Sequence, residues 1–134
     1  MGPRAPGPGV MATEHFPPTT YSPREARRFV LVETEVGATV ADHVALMVSE
    51  LASNAVLHAR TPYSVTASRD GDLVRVEVRD GSSLMPHVRQ YSLDAPTGRG
   101  LRIVDSLATR WGVEPVDAGE GKTVWFEVDA GAAS

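Results

Sequence analysis

A short turn between two alternating segments constrains the fold more than any other feature. Asp70-Gly71 separates residues 63–69 from residues 73–79, and the second segment places Val74, Val76 and Val78 at every other position. An Asp-Gly pair between alternating segments is typical of a tight β-hairpin turn. The sequence therefore predicts two antiparallel strands with one apolar face, which needs a covering layer.

The remaining segments supply that layer and more strands. Apolar residues recur at helical spacing over 22–36, from Thr39 to about Ala59, and over 98–109. Segments 111–116 and 123–128 predict a second hairpin through 118–121. Because strands follow one another in hairpin pairs, we predict an α+β fold: a two-layer sandwich with a mixed, mostly antiparallel sheet and helices on one face.

Local signals predict the ends of the first helix. Ser22 is expected to cap it, with Pro23 in the first helical position and Glu25 reaching back to the cap amide. Gly37 is expected to end it.

The 134 residues suffice for one domain. We expect a disordered Pro/Gly-rich leader over 1–12, one domain over 13–129 and a flexible tail over 130–134. Ordered structure is expected to begin near His15, and Met11 is an alternative translation start. Cysteine is absent and the four histidines lack H-E-x-x-H spacing, which disfavours disulfides and a zinc site.

Charge and hydropathy narrow the function further. The net charge of -4 argues against direct nucleic-acid binding. No apolar run approaches the ~20 residues of a membrane span, and the N-terminus lacks the apolar core of a signal peptide. We therefore expect a soluble cytoplasmic protein without a membrane partner.

The second helix carries an unusual polar stripe. One face of this helix is an apolar arc formed by Val44, Val48, Leu51, Ala52 and Ala55. The solvent-exposed face is expected at Asp42, Ser49 and Ser53. Glu50, Asn54 and His58 belong to neither, and their i, i+4, i+8 spacing aligns them. Such side chains need partners when buried. A polar ligand, a solvated face and an internal network all remain open.

Two further segments have ligand-binding chemistry and plain structural alternatives. Gly98, Arg99, Gly100 and Leu101 open the third helix, where backbone N–H groups attract anions, although caps and hinges use glycine too. Asp80 follows a strand, where its carboxylate is able to accept a hydrogen bond from an adenine amine or simply form a turn.

One apparent phosphate-binding motif is rejected. Gly121-Lys122-Thr123 has the ending of a Walker A loop, but Val116 stands at the required first glycine. The motif also leads into a predicted strand instead of a helix.

Four segments, in this order, resemble the N, G1, G2 and G3 boxes of the Bergerat-fold, histidine-kinase-like ATPases: ELASNAVLHA (50–59), VRDGSS (78–83), TGRGLRIVDSLATRWG (97–112) and GKTVWFEV (121–128). With SPREARRFV (22–30) ahead of them, the chain is most similar to the anti-sigma-factor serine/threonine kinases of actinobacterial type.

The resemblance implies an ATP and Mg²⁺ site. Glu50 matches the general base and Asn54 the Mg²⁺ ligand. The other implied contacts are His58 on the phosphate side, Asp80 at the adenine amine, Thr123 through water, and Gly98, Arg99, Gly100 and Leu101 in a phosphate lid with 91–96 as its flexible part.

The implied function is phosphorylation of a small anti-sigma-factor antagonist, with sequestration of a sigma factor. A homodimer is a further expectation, with Phe16 and the arginines Arg24, Arg27 and Arg28 as contacts or, for the arginines, a solvated face. Ser82 and Leu84 replace the two glycines of the G1 pattern. Two alternatives therefore stay open: a nucleotide-sensing binding module without phosphate transfer, and an interaction protein with an empty pocket.

Overall fold

Five strands and three helices make up the part of the chain that the computed structural model describes, residues 10–82, 99–116 and 121–131. The elements are β1 (Val10–Phe16), α1 (Ser22–Thr34), α2 (Ala38–Asn54), a π-helical turn (Ala55–Ala59), β2 (Tyr63–Asp70), β3 (Leu73–Asp80), α3 (Arg99–Leu107), β4 (Arg110–Pro115) and β5 (Lys122–Asp129).

The strands form one sheet in the order β1-β2-β3-β5-β4, and each neighbouring pair is antiparallel. Both predicted hairpin pairings are present, and Gly71 occupies the first turn with φ +63°. The turn expected over 118–121 lies mostly outside the described residues. The α+β fold class is confirmed, and the described sheet is antiparallel throughout.

The core lies between the helices and one face of this sheet. The whole predicted apolar arc of α2 is buried, and it meets the inward side chains of the strands. Those inward residues alternate along each strand, as the pleat requires. They are Val65, Ala67, Val74, Val76, Val78, Val124, Phe126 and Val128.

The first strand begins earlier than the sequence indicates. We expected order near His15, but Val10–Phe16 is hydrogen-bonded along β2, and the hydroxyls of Thr13 and Thr66 lie 2.8 Å apart. The side chains from Met11 to His15 are mostly exposed, so the segment has no strong apolar alternation. Backbone pairing with a partner some fifty residues away holds it, and local composition does not reveal such pairing.

The predicted capping box at α1 is wrong. The cap position is Tyr21, and no side chain caps the helix. Ser22 is buried and its Oγ instead donates to the carbonyl of Thr19 and lies 2.7 Å from the Tyr63 hydroxyl. Satisfying a buried tyrosine hydroxyl takes precedence here over a helix cap that water is able to replace.

The junction between α1 and α2 also differs from expectation. Glu35 ends α1 in the left-handed region at φ 48°. Gly37, predicted to end α1, is the cap residue at the start of α2, in an extended conformation. The third helix spans Arg99–Leu107 and is shorter than predicted.

The outer face of the sheet carries an ionic cluster. Arg75 contacts Glu77 at 2.8 Å and Glu127 at 2.9 Å, and Arg110 also pairs with Glu127. The guanidinium of Arg75 lies 4.2 Å from the ring centroid of Trp125. Burial alone would raise the pKa of Glu127, but its two arginine partners lower it below the ordinary value. Glu127 is therefore charged near neutral pH.

The helical segment Ala38–Ala59 corrects the expectation about apolar runs. It has 22 residues and a window of mean hydropathy 1.2, enough by length and composition to cross a membrane. Half of that window is buried inside the fold, where its apolar arc forms the core. A buried core helix has the same composition, so this is weak evidence for a membrane span.

Candidate functional site

One end of the sheet holds a row of inward-facing side chains. The register aligns Phe16 with Tyr63, Tyr63 with Asp80, and Asp80 with Lys122. The rings of Phe16 and Tyr63 stack with centroids 5.5 Å apart. All four residues are buried, although two of them carry charge. The row therefore changes from aromatic side chains on β1 and β2 to an ion pair on β3 and β5.

Asp80 is held firmly at the end of β3. Its Oδ1 accepts a hydrogen bond from the backbone N–H of Ser82 at 2.8 Å, and the next residue, Gly81, donates its N–H to Thr61 Oγ1 at 2.8 Å. Both oxygens of Asp80 also accept from Lys122 Nζ, at 3.1 and 3.0 Å. The carboxylate predicted to recognise adenine is thus fixed in place and paired with a cation.

Lys122 is a site residue that the sequence analysis did not select. It occurs in the rejected phosphate-binding motif and in the segment GKTVWFEV (121–128), without a role of its own, and the motif does lead into strand β5. Thr123, predicted to assist Asp80, pairs with Arg79 and Glu114, one position along from the Asp80–Lys122 pair. Because successive side chains of a strand alternate between faces, Thr123 shares the outer face with Trp125, and Lys122 stands beside Asp80.

Only part of the polar stripe predicted on α2 lies at this site. Glu50 is buried on α2, and Asn54, one turn later, lines the pocket beside Leu51. After Asn54 the helix changes to π geometry, closed by a hydrogen bond of 2.8 Å from Arg60 N–H to Ala55 O. His58 lies in that turn and is exposed, because the change of helical period breaks the assumed spacing.

The third helix begins at the same site. Leu101, in its first turn, is buried and lines the pocket. Arg99 and Gly100 open the helix. Gly98, Leu84 and residues 91–96, which the predicted lid and the G1 comparison involve, lie outside the described residues. Ser82 is described, and its backbone N–H donates to Asp80 Oδ1.

A small cavity joins these elements. Its lining consists of Leu51, Asn54, Val78, Asp80, Leu101, Lys122 and Val124. Its volume is about 20 Å³, roughly enough for one water molecule. A larger ligand must therefore move the walls apart. Each of the four segments singled out in the sequence contributes at least one residue to this lining.

The family model of the histidine kinase-like ATPase domain matches residues 16–128. The chain belongs to this family. The match extends from Phe16, the last residue of β1, to Val128 near the end of β5, and it confirms the family resemblance drawn from the four boxes.

Solved structures agree with this ATPase-domain assignment at the level of the fold. The crystal structure of the RsbU and RsbW domains of Rv1364c from Mycobacterium tuberculosis superposes with a TM-score of 0.64 at 21% identity. The match covers 93% of this chain and 33% of that chain, so this chain spans about one third of the chain that it matches. No curated protein matches the chain.

The donor set of the ATPase domain suits a magnesium ion that is held mainly by its nucleotide. Within the described residues, no group of three or more acidic or histidine side chains is placed to hold a metal. Asn54 offers one amide oxygen at the pocket wall. Mg²⁺ commonly takes one or two protein oxygens and completes its octahedron with water and phosphate. Asn54 therefore fits the expected role.

The residues expected at a homodimer contact are distributed differently. Phe16 is buried against Phe29 and Tyr63 and belongs to the core of the ATPase domain. Arg27 donates to Ser49 Oγ at 3.0 Å, which ties α1 to α2. Arg24 and Arg28 are exposed. The prediction that Phe16 is a contact residue is wrong, because its ring is buried against Tyr63 of the neighbouring strand β2, a pairing that local sequence does not reveal.

Proposed function

We propose that this ATPase domain is a cytoplasmic, Mg²⁺-dependent protein serine/threonine kinase of the anti-sigma-factor type. The observation that carries the proposal is the convergence of all four boxes on one cavity, with Asn54, Asp80, Leu101 and Lys122 on its walls. Scattered sequence motifs without a common site would not converge in this way. Family membership supports nucleotide binding at that cavity.

In this proposal the nucleotide lies between the sheet end and α3. Asp80 accepts a hydrogen bond from the exocyclic amine of adenine, and the first turn of α3 directs its N–H groups to the phosphates. The cavity must widen to admit a purine. Movement of α3 away from α2 would do this, since Leu101 forms the wall on that side.

The transfer step uses the two polar residues of α2. Asn54 provides an oxygen ligand for Mg²⁺, which neutralises phosphate charge when bound. Glu50 takes the proton from the attacking serine or threonine hydroxyl. The oxygen of that hydroxyl forms a bond to the terminal phosphorus, the bond to the bridging oxygen breaks, and ADP leaves. His58 is exposed and is assigned no step.

The acceptor is proposed to be a small anti-sigma-factor antagonist, and a sigma factor is proposed to be sequestered when that antagonist is not available. The likeness to a structure that contains an RsbW domain supports the fold of such a kinase. The exposed arginines Arg24 and Arg28 remain candidates for a homodimer or partner contact.

The test is phosphate transfer from labelled ATP to candidate antagonists by the full chain. We expect transfer by the wild type and a loss of at least a hundredfold in Glu50→Gln, since a positioned general base contributes about 10²–10⁴-fold. ATP affinity should change little in this variant. Asp42→Asn, which changes an exposed carboxylate on the same helix, is the matched control and should retain activity. Undiminished transfer by Glu50→Gln would remove Glu50 from the mechanism.

A nucleotide-sensing module is the second candidate, and the altered G1 segment favours it. Ser82 stands where the pattern has glycine, and its backbone is tied to Asp80. Nucleotide binding without transfer to any candidate, together with intact signalling in Glu50→Gln, would support this function over catalysis. If isothermal titration detects no ATP or ADP binding with Mg²⁺, and neither nucleotide protects the protein from unfolding, both candidates fail and an interaction protein with an empty pocket remains.

A further inference from the structure

Lys122 is the one lysine of the chain, and it lies in the core-facing row. Only 7% of the residue is exposed, and its neighbours on the same strand face, Val124 and Phe126, are apolar. Burying an ammonium group is costly unless it is paired. An apolar residue at this position would continue the core without that cost, so the charge calls for an explanation beyond packing.

The pairing with Asp80 leaves donor and acceptor capacity on both partners. An ammonium group has three N–H donors, and the hydrogen bonds that Lys122 makes within the described residues go to the two oxygens of one carboxylate. A carboxylate has about four acceptor positions. Lys122 and the Ser82 N–H use three of those of Asp80.

The remaining donor and acceptor lie side by side at the cavity wall, because Asp80 and Lys122 are directly paired residues of β3 and β5. Adenine presents the complementary pair on one edge: an amine at C6 that donates and the neighbouring ring nitrogen N1 that accepts. Guanine in the same pose presents an acceptor at C6 and a donor at N1. It would place acceptor against carboxylate and donor against ammonium.

From this geometry we infer that Lys122 is a base-specificity residue, which donates directly to N1 of adenine while Asp80 accepts from the amine. The inference rests on the proposed nucleotide site and deepens it. It replaces a contact through water, expected from Thr123, with a direct contact from the adjacent residue of the strand. It also gives the buried ammonium group a role beyond its ion pair with Asp80.

The experiment compares ATP with 1-deaza-ATP, in which a C–H group replaces N1, by isothermal titration of the full chain with Mg²⁺. Loss of a hydrogen bond from a charged donor should weaken binding by about ten- to a hundredfold. 7-Deaza-ATP, which keeps N1, is the matched control and should bind within a few-fold of ATP. GTP should bind much more weakly than ATP.

The variant Lys122→Met completes the comparison. It should bind ATP more weakly than the wild type does and should no longer distinguish ATP from 1-deaza-ATP. Lys122→Arg, which keeps a cationic donor, should retain part of the discrimination. Equal loss of affinity for both nucleotides, with the full discrimination preserved in Lys122→Met, would overturn the inference.

A measurement on the wild type avoids dependence on variant folding. Because the chain has one lysine, protein labelled with ¹³C at the lysine ε-carbon gives one lysine signal. ATP should shift this signal, and 1-deaza-ATP at saturation should shift it less. If ATP binds but leaves the signal unchanged and 1-deaza-ATP binds equally well, the inference fails while the proposed function stands. If ATP does not bind at all, the proposed function fails and the inference with it.

Discussion

Removing the Lys122 ammonium should strongly destabilise the protein, and a second substitution should restore part of the loss. Lys122 and Asp80 are both buried and lie 3.0 Å apart. Removing one partner of a buried ion pair costs about 3–5 kcal/mol because the other charge is left uncompensated. Asp80 keeps its hydrogen bond from the Ser82 N–H, so we expect Lys122→Met to lie near the lower end, about 3 kcal/mol.

The sign of the stability change caused by the second substitution distinguishes the loss of an ion-pair partner from a simple packing effect. In the Lys122→Met background, Asp80→Asn removes the uncompensated charge and keeps an oxygen for the Ser82 N–H. The double variant should therefore be more stable than Lys122→Met, by about 1–2 kcal/mol on the cost of a buried unpaired polar group. The two substitutions are coupled, and their separate effects should not add.

The assay is urea unfolding without nucleotide near neutral pH, with all variants compared in one double-mutant cycle. A loss of about 3 kcal/mol is a large share of the roughly 5–15 kcal/mol typical of a domain, and should lower the midpoint by about 1–3 M. Glu77→Gln on β3 is the control, because the ion pair that it weakens is partly exposed and such pairs contribute about 0–1 kcal/mol. A destabilisation by Lys122→Met no greater than that of the control, or a further loss on adding Asp80→Asn, would refute the argument.

Three further predictions concern stability. Because the pKa of Glu127 is lowered, its contribution to folding stability is complete above the ordinary pKa of 4.5 and is lost as the pH falls through the folded-state pKa. Urea titrations at a series of pH values should therefore show stability falling on acidification, and Glu127→Gln should show a smaller dependence on pH. Gly121→Ala should cost more stability than Gly71→Ala in the same assay. Both glycines have positive φ, which costs an alanine about 1–2 kcal/mol, but of the two only Gly121 would bring its new Cβ against a backbone carbonyl of the neighbouring strand. Equal losses would contradict this prediction. In calorimetry, Ser22→Ala should cost about 1–3 kcal/mol, because the buried hydroxyl of Tyr63 loses its partner. Tyr63→Phe should cost only about 0.5–1.5 kcal/mol, because Ser22 keeps its hydrogen bond to the carbonyl of Thr19. A larger loss in Tyr63→Phe than in Ser22→Ala would contradict this prediction.

The local patterns of the sequence determined most of the elements. Alternation identified β2 and β3, and the i, i+3, i+4 pattern identified the buried arc of α2, because each follows from the geometry of a single element. The order of the four boxes determined the family, which the match over residues 16–128 confirmed. These properties require no knowledge of which distant segments touch.

The tertiary structure alone decided which side chains meet at the site. Whether Lys122 or Thr123 stands beside Asp80 depends on the register between β3 and β5, since a shift of one residue exchanges the two faces of a strand. The partner of Ser22 is Tyr63, 41 positions away, and no local rule names it. The π-turn after Asn54 likewise moved His58 out of an assumed stripe. Each outcome depends on long-range pairing or on a break in helical period, whose free energy is distributed over many residues and is absent from any short segment.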